Sequence, residues 1–299
     1  MITLQQLIYF REVAKRENIS KTAEALFVSQ TTLSILIKKL EDSLGMRLFS
    51  RDGKKIRLNE AGKVYLDYVE EALRTLQNGQ DTLERLFGRE ENTVTFCMSN
   101  SVVWTDALRI FGSRYPSYKI RQQNYSLDQF LDIMNSSAVD FAIAGLGDYK
   151  LDHLDYTVLC DDPLYLCVSP QHPFAEQTTI SLEQLSDLPL ISLPQTAPFR
   201  AFCEDYFKRH HLISNTVLEC DYTLRKDLIL ANYGSALTTK SAVAAGLLGG
   251  QNRYIRIDHE DAKRVLILVW DPRRYLSKAA LDFKEFIIEY LQDFQSREI

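Results

Sequence analysis

The sequence predicts a mainly α, winged helix-turn-helix head carrying a long helix, followed by a larger α/β body. Three observations lead there. Residues 20–62 hold two short helical patterns meeting at the tight polar break Val28-Ser29-Gln30, then a basic hairpin signal, then a long amphipathic run. That order is what a winged helix-turn-helix needs to lay one helix in the major groove of DNA. From about Asn92 onward strand and helix patterns alternate, which indicates α/β layers. Charge is also divided: residues 1–65 hold 12 Lys+Arg and 7 Asp+Glu, a surplus of +5. The chain totals 35 basic and 40 acidic residues, so the remaining 23 and 33 leave the body at −10. A basic head on an acidic body suits a first domain that meets phosphates and a remainder repelled by them.

The head builds up in order. Thr3-Leu-Gln-Gln6 fits a capping box, and Leu4, Leu7, Phe10 and Ala14 form the apolar stripe of a first helix. Ser20 is expected to cap a second helix with Ala23 and Leu26 facing inward, Ala23 being small enough for close helix approach. Ser29 caps the recognition helix, on which Leu33, Ile37, Leu40 and Leu44 share one face and after which Gly45 supplies the stop. The opposite face presents Gln30, Thr31, Thr32, Ser34, Ile35 and Lys38. Gln pairs bidentately with adenine, and Thr or Ser reaches base edges or phosphates. Of Ile35 and Leu36, one is expected to bury the helix, and the other, Ile35, to touch a thymine methyl or pack against the wing. Leu48 and Phe49 anchor the wing. Asp52-Gly53 makes its turn, and Arg51, Lys54 and Lys55 are its expected phosphate or minor-groove contacts.

Asn59 is placed to cap a helix running from about Glu60 to Phe87. Tyr65, Val69, Ala72, Leu76, Leu83 and Leu86 recur at nearly heptad spacing, with Gly79 at the skipped position. Such a seam either packs on its own domain or pairs with a partner helix. Pairing is the preferred expectation.

In the body, Val94–Met98, Ile120–Asn124, Phe141–Ala144, Leu164–Val168, Leu190–Ser192 and Val217–Cys220 read as strands. Ser126-Leu-Asp-Gln129 and Ser181-Leu-Glu-Gln184 read as capping boxes opening helices, and further helices are expected before Tyr115-Pro116 and through Phe202–Phe207.

The stretch from Ser20 to Gly62 resembles, almost position by position, the N-terminal domain of LysR-type transcriptional regulators. Ile35-Leu36 departs from the basic and polar pair common there, which puts guanine readout at that point in doubt. Beyond residue 93 the likeness is more diffuse but consistently ordered, through Phe111-Gly-Ser-Arg114-Tyr115-Pro116, Val139-Asp140-Phe-Ala-Ile143, Asp162-Pro-Leu-Tyr-Leu, His172-Pro173-Phe, Gly234-Ser-Ala-Leu237 and Ser241-Ala-Val243. The resemblance implies a winged head at 1–58, a dimerising linker helix at 59–91 and a periplasmic-binding-protein-like effector domain at 92–299. Its first lobe would span about 93–161 plus 268–299, and its second about 162–267. It further implies a homodimer or homotetramer on a pseudo-palindromic operator in double-stranded DNA, RNA polymerase as a partner, and control by a small effector held between the lobes.

In such a bilobed fold ligands sit at strand C-terminal ends, where helix N-termini offer amides. Four loops qualify: Ser99-Asn100-Ser101, Tyr125-Ser126, Gln195-Thr196 with Phe199, and Tyr222-Thr223. Their hydroxyls and amides suit a polar or anionic metabolite. Simple helix capping is the competing account of each. Arg200 and Arg225 are possible charge partners, although arginines on exposed helices are mostly solvated.

Other classes find less support. No apolar run approaches the roughly 18 residues of a membrane span, and Met1-Ile-Thr-Leu-Gln-Gln6 lacks the features of a signal peptide, so a cytoplasmic protein without membrane contact is expected. The five histidines show no H-E-x-x-H spacing, no G-x-S-x-G elbow is present, and no glycine-rich phosphate loop precedes a helix. No catalytic residue, metal ligand or cofactor is therefore predicted. His210-His211 is read as closing a helix to the benefit of its dipole. Five cysteines (Cys97, Cys160, Cys167, Cys203, Cys220) make no C-x-x-C pair and are expected to be free buried thiols. Two rivals stay open: a regulator that senses oxidants through one of these thiols, and a bilobed binding protein or enzyme with a vestigial head.

Overall fold

The computed structural model describes residues 1–52, 55–87, 91–136, 138–147 and 149–296, with side chains throughout except at 51, 52, 55, 81, 82, 84–87, 295 and 296. The chain forms two compact units, Met1–Asp81 and Thr82–Ile299.

In the first unit, helix α1 (Leu4–Arg16) starts with the expected reciprocal capping box between Thr3 and Gln6. Helix α2 (Ile19–Ala25) is capped by Asn18, which accepts from Lys21 N, and not by Ser20. Both types can cap; the helix begins two residues earlier than a Ser20 cap would place it, which leaves Ser20 inside the first turn. A turn through Phe27, whose φ of 54° is left-handed, leads to α3 (Gln30–Leu44), capped by Ser29 and closed by Gly45 at φ 70°. Strands β1 (Phe49–Asp52) and β2 (Lys55–Leu58) form the antiparallel wing. Gly53 of the expected turn lies outside the described residues.

Helix α4 (Glu60–Phe87) follows, with Asn59 Oδ1 accepting from Gly62 N at 2.8 Å as expected of a cap. The dry core of this unit gathers Phe10, Val13, Leu33, Ile37, Leu40, Leu48 and Phe49. Val69 joins it and Tyr65 packs against it, so the first part of the α4 seam serves its own domain. Ala72, Leu76 and Leu83 stay exposed, and the side chain of Leu86 lies outside the described residues.

In the second unit, β3 (Thr93–Met98) lies between β4 (Lys119–Asn124) and β5 (Phe141–Gly145), all parallel, with α5 (Thr105–Arg114) and α6 (Phe130–Asn135) in the connections. Helix α6 is shorter than the capping-box reading implied. It begins after Gln129, and Gln129 only reaches back to Ser126 N. Strand β6 (Asp155–Val168) is far longer than Leu164–Val168. Its first part pairs with β12 (Lys263–Trp270), and its last part with β10 (Ala236–Thr239) and β11 (Arg253–Ile257).

Two cores flank this long strand. One stacks Phe283 of α11 (Lys278–Ser296) on Phe96, with Phe111 and Phe141 beside it. The other gathers Leu164, Leu166, Tyr206, Ile255 and Ile257. The second lobe also holds β7 (Thr179–Ile180), α7 (Leu182–Leu185), β8 (Leu190–Ser192), α8 (Pro198–Arg209), β9 (Thr216–Glu219), α9 (Tyr222–Leu230) and α10 (Lys240–Ala244). Because β6 and β12 run from one core to the other, the two lobes share a continuous β connection.

Candidate nucleic-acid interface and inter-lobe cleft

Burial of Leu33, Ile37 and Leu40 fixes which face of α3 is left outside. Gln30, Thr31, Thr32, Ile35 and Lys38 are exposed, Ser34 is half-buried, and Leu36 turns toward the core. Ile35 is therefore the outward member of its pair. Ser29 accepts from Thr32 N at 3.0 Å and its hydroxyl lies 2.8 Å from that of Thr32, while Gln30 accepts from Ser20 at 3.1 Å.

Thr31, Ser34, Ile35 and Lys38 line a surface groove of about 580 Å³, closed on the wing side by Phe49 and Ile56. Arg47 also lines it, a residue the sequence reading passed over although it is a basic side chain just after the Gly45 stop. Glu41, almost fully buried, accepts from Leu48 N at 2.8 Å, from Phe49 N at 3.2 Å and from Arg47 at 2.7 Å, and so fixes the wing's root to α3. The side chains of Arg51 and Lys55, and Lys54 as a whole, lie outside the described residues.

In the second unit a cavity of about 50 Å³ opens between the lobes, enough for a few waters or a small ionic group. Met98, Ser99, Asn100 and Trp104 line it from the first lobe, and Phe199, Tyr222, Arg225, Thr239 and Ser241 from the second, with Asp162 and Arg264 of the crossing strands beneath. Two contacts link the lobes. Leu127 N donates to Thr196 O at 2.8 Å, and Asn100 hydrogen-bonds the Tyr222 hydroxyl.

The three charged groups here are all buried. Asp162 accepts from Ser241 N at 2.8 Å and from Ser241 Oγ at 2.6 Å. Burial raises its carboxyl above the ordinary carboxylate range, against those hydrogen bonds, one from Thr239 and the positive charge of Arg264. Arg225, only 4% exposed, donates from Nε to Ile191 O at 2.8 Å and from Nη2 to Leu237 O at 2.9 Å. Burial lowers its pKa, and Tyr222, Cys203, Cys167 and Cys220 act on it in the opposite sense. The cleft thus holds one carboxylate against two guanidinium groups.

Of the residues expected to bind an effector, Ser99, Asn100 and Phe199 line this cavity. Ser101, Tyr125, Ser126, Gln195, Thr196 and Thr223 do not. Tyr125 is buried and donates its hydroxyl to Ile143 O, Ser126 donates to Asp128, and Thr223 N serves the cap Asp221, since α9 begins one residue before Thr223. Arg225, named as a possible charge partner, is one of the three buried charges of the cleft. Tyr222, of the fourth expected loop, lines the cavity too, whereas Arg264, Asp162 and Ser241 were missed. Arg200 bonds Glu204 and Thr216.

No thiol is activated. Burial pushes Cys97, Cys160, Cys167 and Cys203 up to about 12 and raises Cys220 as well, which disfavours the thiolate that oxidant sensing needs. Among the described residues no helix is long and apolar enough to cross a membrane.

Two family models match the chain: "Bacterial regulatory helix-turn-helix protein, lysR family" over residues 4–63 and "LysR substrate binding domain" over residues 88–292. A "Probable RuBisCO transcriptional regulator" of Porphyra purpurea is 30% identical over 96% of this chain and 93% of its own length. An "Uncharacterized HTH-type transcriptional regulator YybE" of Bacillus subtilis (strain 168) is 25% identical over 97% and 99%. Among solved structures, full-length CbnR in complex with its target DNA shares the fold at a TM-score of 0.56, with 18% identity over 97% of this chain and 99% of that one.

Proposed function

We propose that this chain, which belongs to the LysR family and is a DNA-binding transcriptional regulator controlled by a small effector and not an enzyme, is switched by an anionic metabolite held on Arg225 between its two lobes. One observation carries the reading: two buried guanidinium groups, Arg225 and Arg264, line the cleft with the single carboxylate of Asp162. A ligand carboxylate or phosphate supplies the missing countercharge where water cannot, and a buried charge gains most from such a partner. Ser99, Asn100 and Phe199 contact the ligand together with Tyr222. Binding breaks or keeps the Asn100–Tyr222 and Leu127–Thr196 contacts, and that difference between open and closed arrangements is the only source from which the ligand can drive a switch.

In this reading residues 1–58 are the DNA-binding domain, 59–91 the linker helix and 92–299 the effector domain. Ser29, Gln30, Thr31, Thr32, Ser34, Ile35 and Lys38 meet bases and backbone, and Arg51, Lys54 and Lys55 meet phosphates. Exposed Ala72, Leu76 and Leu83 pair the linker helices of a homodimer, two of which make a tetramer on a pseudo-palindromic operator. The protein acts in the cytoplasm with RNA polymerase as its downstream partner.

The test uses full-length protein. A thermal-shift screen compares metabolite carboxylates and phosphates with their neutral amides and esters. Stabilisation by anions, lost in Arg225→Met, supports the assignment. Stabilisation by the neutral partners alone refutes it. Operator selection with Gln30→Ala is expected to relax one adenine position by about 1–3 kcal/mol.

A further inference from the structure

Two imidazoles and a carboxylate converge where α8 ends. His210, the residue that caps this helix, turns Nε2 onto Oδ2 of Asp261 at 2.9 Å, and His259 turns Nδ1 onto Oδ1 of the same carboxylate. The two rings stand edge to face with centroids 4.6 Å apart, and the three donor atoms lie within 4.8 Å of one another. The side chains are 17%, 33% and 38% exposed in the order His210, His259, Asp261, so the cluster is backed by protein yet open to an arriving ion.

The backing is fixed and holds an unsatisfied group. His210 lies on the ring of Tyr206 at 4.6 Å, and Tyr206 is fully buried with no hydrogen-bond partner for its hydroxyl. Burial pushes that phenol up to about 12, and the Asp261 charge adds to the push. The loop opposite is pinned by Ala262 N donating to His259 O and Lys263 N donating to Asp261 O.

We propose that His210, His259 and Asp261 form a binding site for a divalent transition-metal ion of the zinc class, completed by water. Two imidazole nitrogens and one carboxylate oxygen are the ligand set such ions accept at about 2.0–2.2 Å, whereas magnesium and calcium require oxygen throughout. On binding, each histidine must hold its proton on the ring nitrogen that faces away from Asp261, so that the facing lone pair is offered to the ion. A positive charge already stands beside the site: Arg209 Nη1 lies 3.1 Å from Asp261 Oδ2. Arg209 also holds Asp205 at 2.8 Å and lies over the Tyr206 ring, so it can yield Asp261 to the ion without losing its other partners.

The location gives the ion a mechanical consequence. Helix α8 opens with Phe199 against the inter-lobe cavity and ends at His210, and Asp261 stands two residues before β12, the strand that crosses between lobes. An ion here ties the far end of α8 to the root of that crossing strand. This inference does not depend on the anion assignment above.

Calorimetry on untagged, chelator-treated full-length protein decides it, with zinc as the probe and magnesium as the control. One equivalent of zinc is expected, with a raised melting temperature. His259→Gln, whose ring is partly exposed and not needed for folding, and Asp261→Asn should each weaken zinc by more than the roughly 10–100-fold that loss of an outer-sphere partner costs. Arg209→Gln should tighten it severalfold by removing the competing charge. The cobalt form should show imidazole and carboxylate ligation. Zinc bound no better than magnesium, an unchanged stoichiometry in both ligand variants, or a thiolate–cobalt spectrum from the cysteines would each overturn the proposal.

Discussion

The head and the body place their charges in opposite ways. In the head, the apolar side chains of Phe10, Val13, Leu33, Leu40 and Leu48 are buried together, and the outward side chains of α3 are exposed. Its one buried carboxylate among the described residues, Glu41, is spent on backbone amides and Arg47. The cleft of the body instead keeps Asp162, Arg225 and Arg264 out of water. Solvated side chains can gain or lose a phosphate at little cost to the fold, which suits reversible contact with many DNA sites. Buried ones hold their geometry at a desolvation cost and return it only to a ligand of matching charge. The same chain therefore separates a tolerant surface from an intolerant cavity.

The largest expected effect tests where the head's tolerance ends. A Cβ on Gly62 would stand 2.1 Å from the backbone oxygen of Leu48, and that carbonyl already accepts from Asn59 N at 3.0 Å. Gly62→Ala is expected to cost about 3 kcal/mol, the upper part of the range for overpacking, and to unseat the wing. A Cβ on Gly79 of the same helix meets nothing within 4 Å, so Gly79→Ala should stabilise by about 0.5–1 kcal/mol through helix propensity. Urea unfolding of both variants checks the pair. Equal midpoints would mean that the α4–wing contact is not what holds the head together.

This contrast also explains what was legible in the sequence. Along α3 the burial of Leu33, Ile37 and Leu40 dictates the outward set, because a helix carries its own geometry. The α4 seam was half legible: heptad spacing suits a partner helix and the helix's own domain alike, and Val69 went to the second while Leu76 stayed 54% exposed. The cleft was legible in Ser99, Asn100, Phe199, Tyr222 and Arg225 but not in Asp162, Ser241 or Arg264, since its walls come from segments far apart in the chain. The strand expected at Leu164–Val168 starts only after Asp161-Asp162-Pro163. In the fold that tripeptide lies within β6, because Ser241 satisfies the Asp162 carboxylate from 79 residues away. Nothing local to Arg225 reveals that the carbonyls of Ile191 and Leu237 await it.

A middling effect is expected at Arg225, where the cavity should prove as intolerant as the comparison demands. Arg225→Met strands two buried carbonyls, each worth about 1–3 kcal/mol, and removes one buried charge, which gives part of that back. A net loss of about 2 kcal/mol is expected, together with loss of the response to anions. Arg225→Lys keeps the charge but not the two-pronged donation, so it should recover part of the response and little of the stability. Full stability in the methionine variant would show that water reaches those carbonyls, and the cleft would then be no drier than the head's surface.

The smallest effect concerns His172, in the second lobe but away from the cavity. Its Nδ1 accepts from Phe174 N at 3.2 Å, which requires that nitrogen unprotonated, and burial lowers its pKa below the ordinary 6.5. The unfolded chain then binds the proton first as the solution is acidified. Stability contributed by this group is complete above pH 6.5 and is lost as the pH falls from there through the folded value. The ring is partly open to solvent, so the loss should stay under about 0.5 kcal/mol after screening. Urea midpoints of the native chain and His172→Gln, compared between neutral and mildly acid pH, should differ in slope by that amount. Parallel slopes would mean that the ring is as solvated as the side chains of α3, and the division between a wet head and a dry body would then stop at the walls of the cleft.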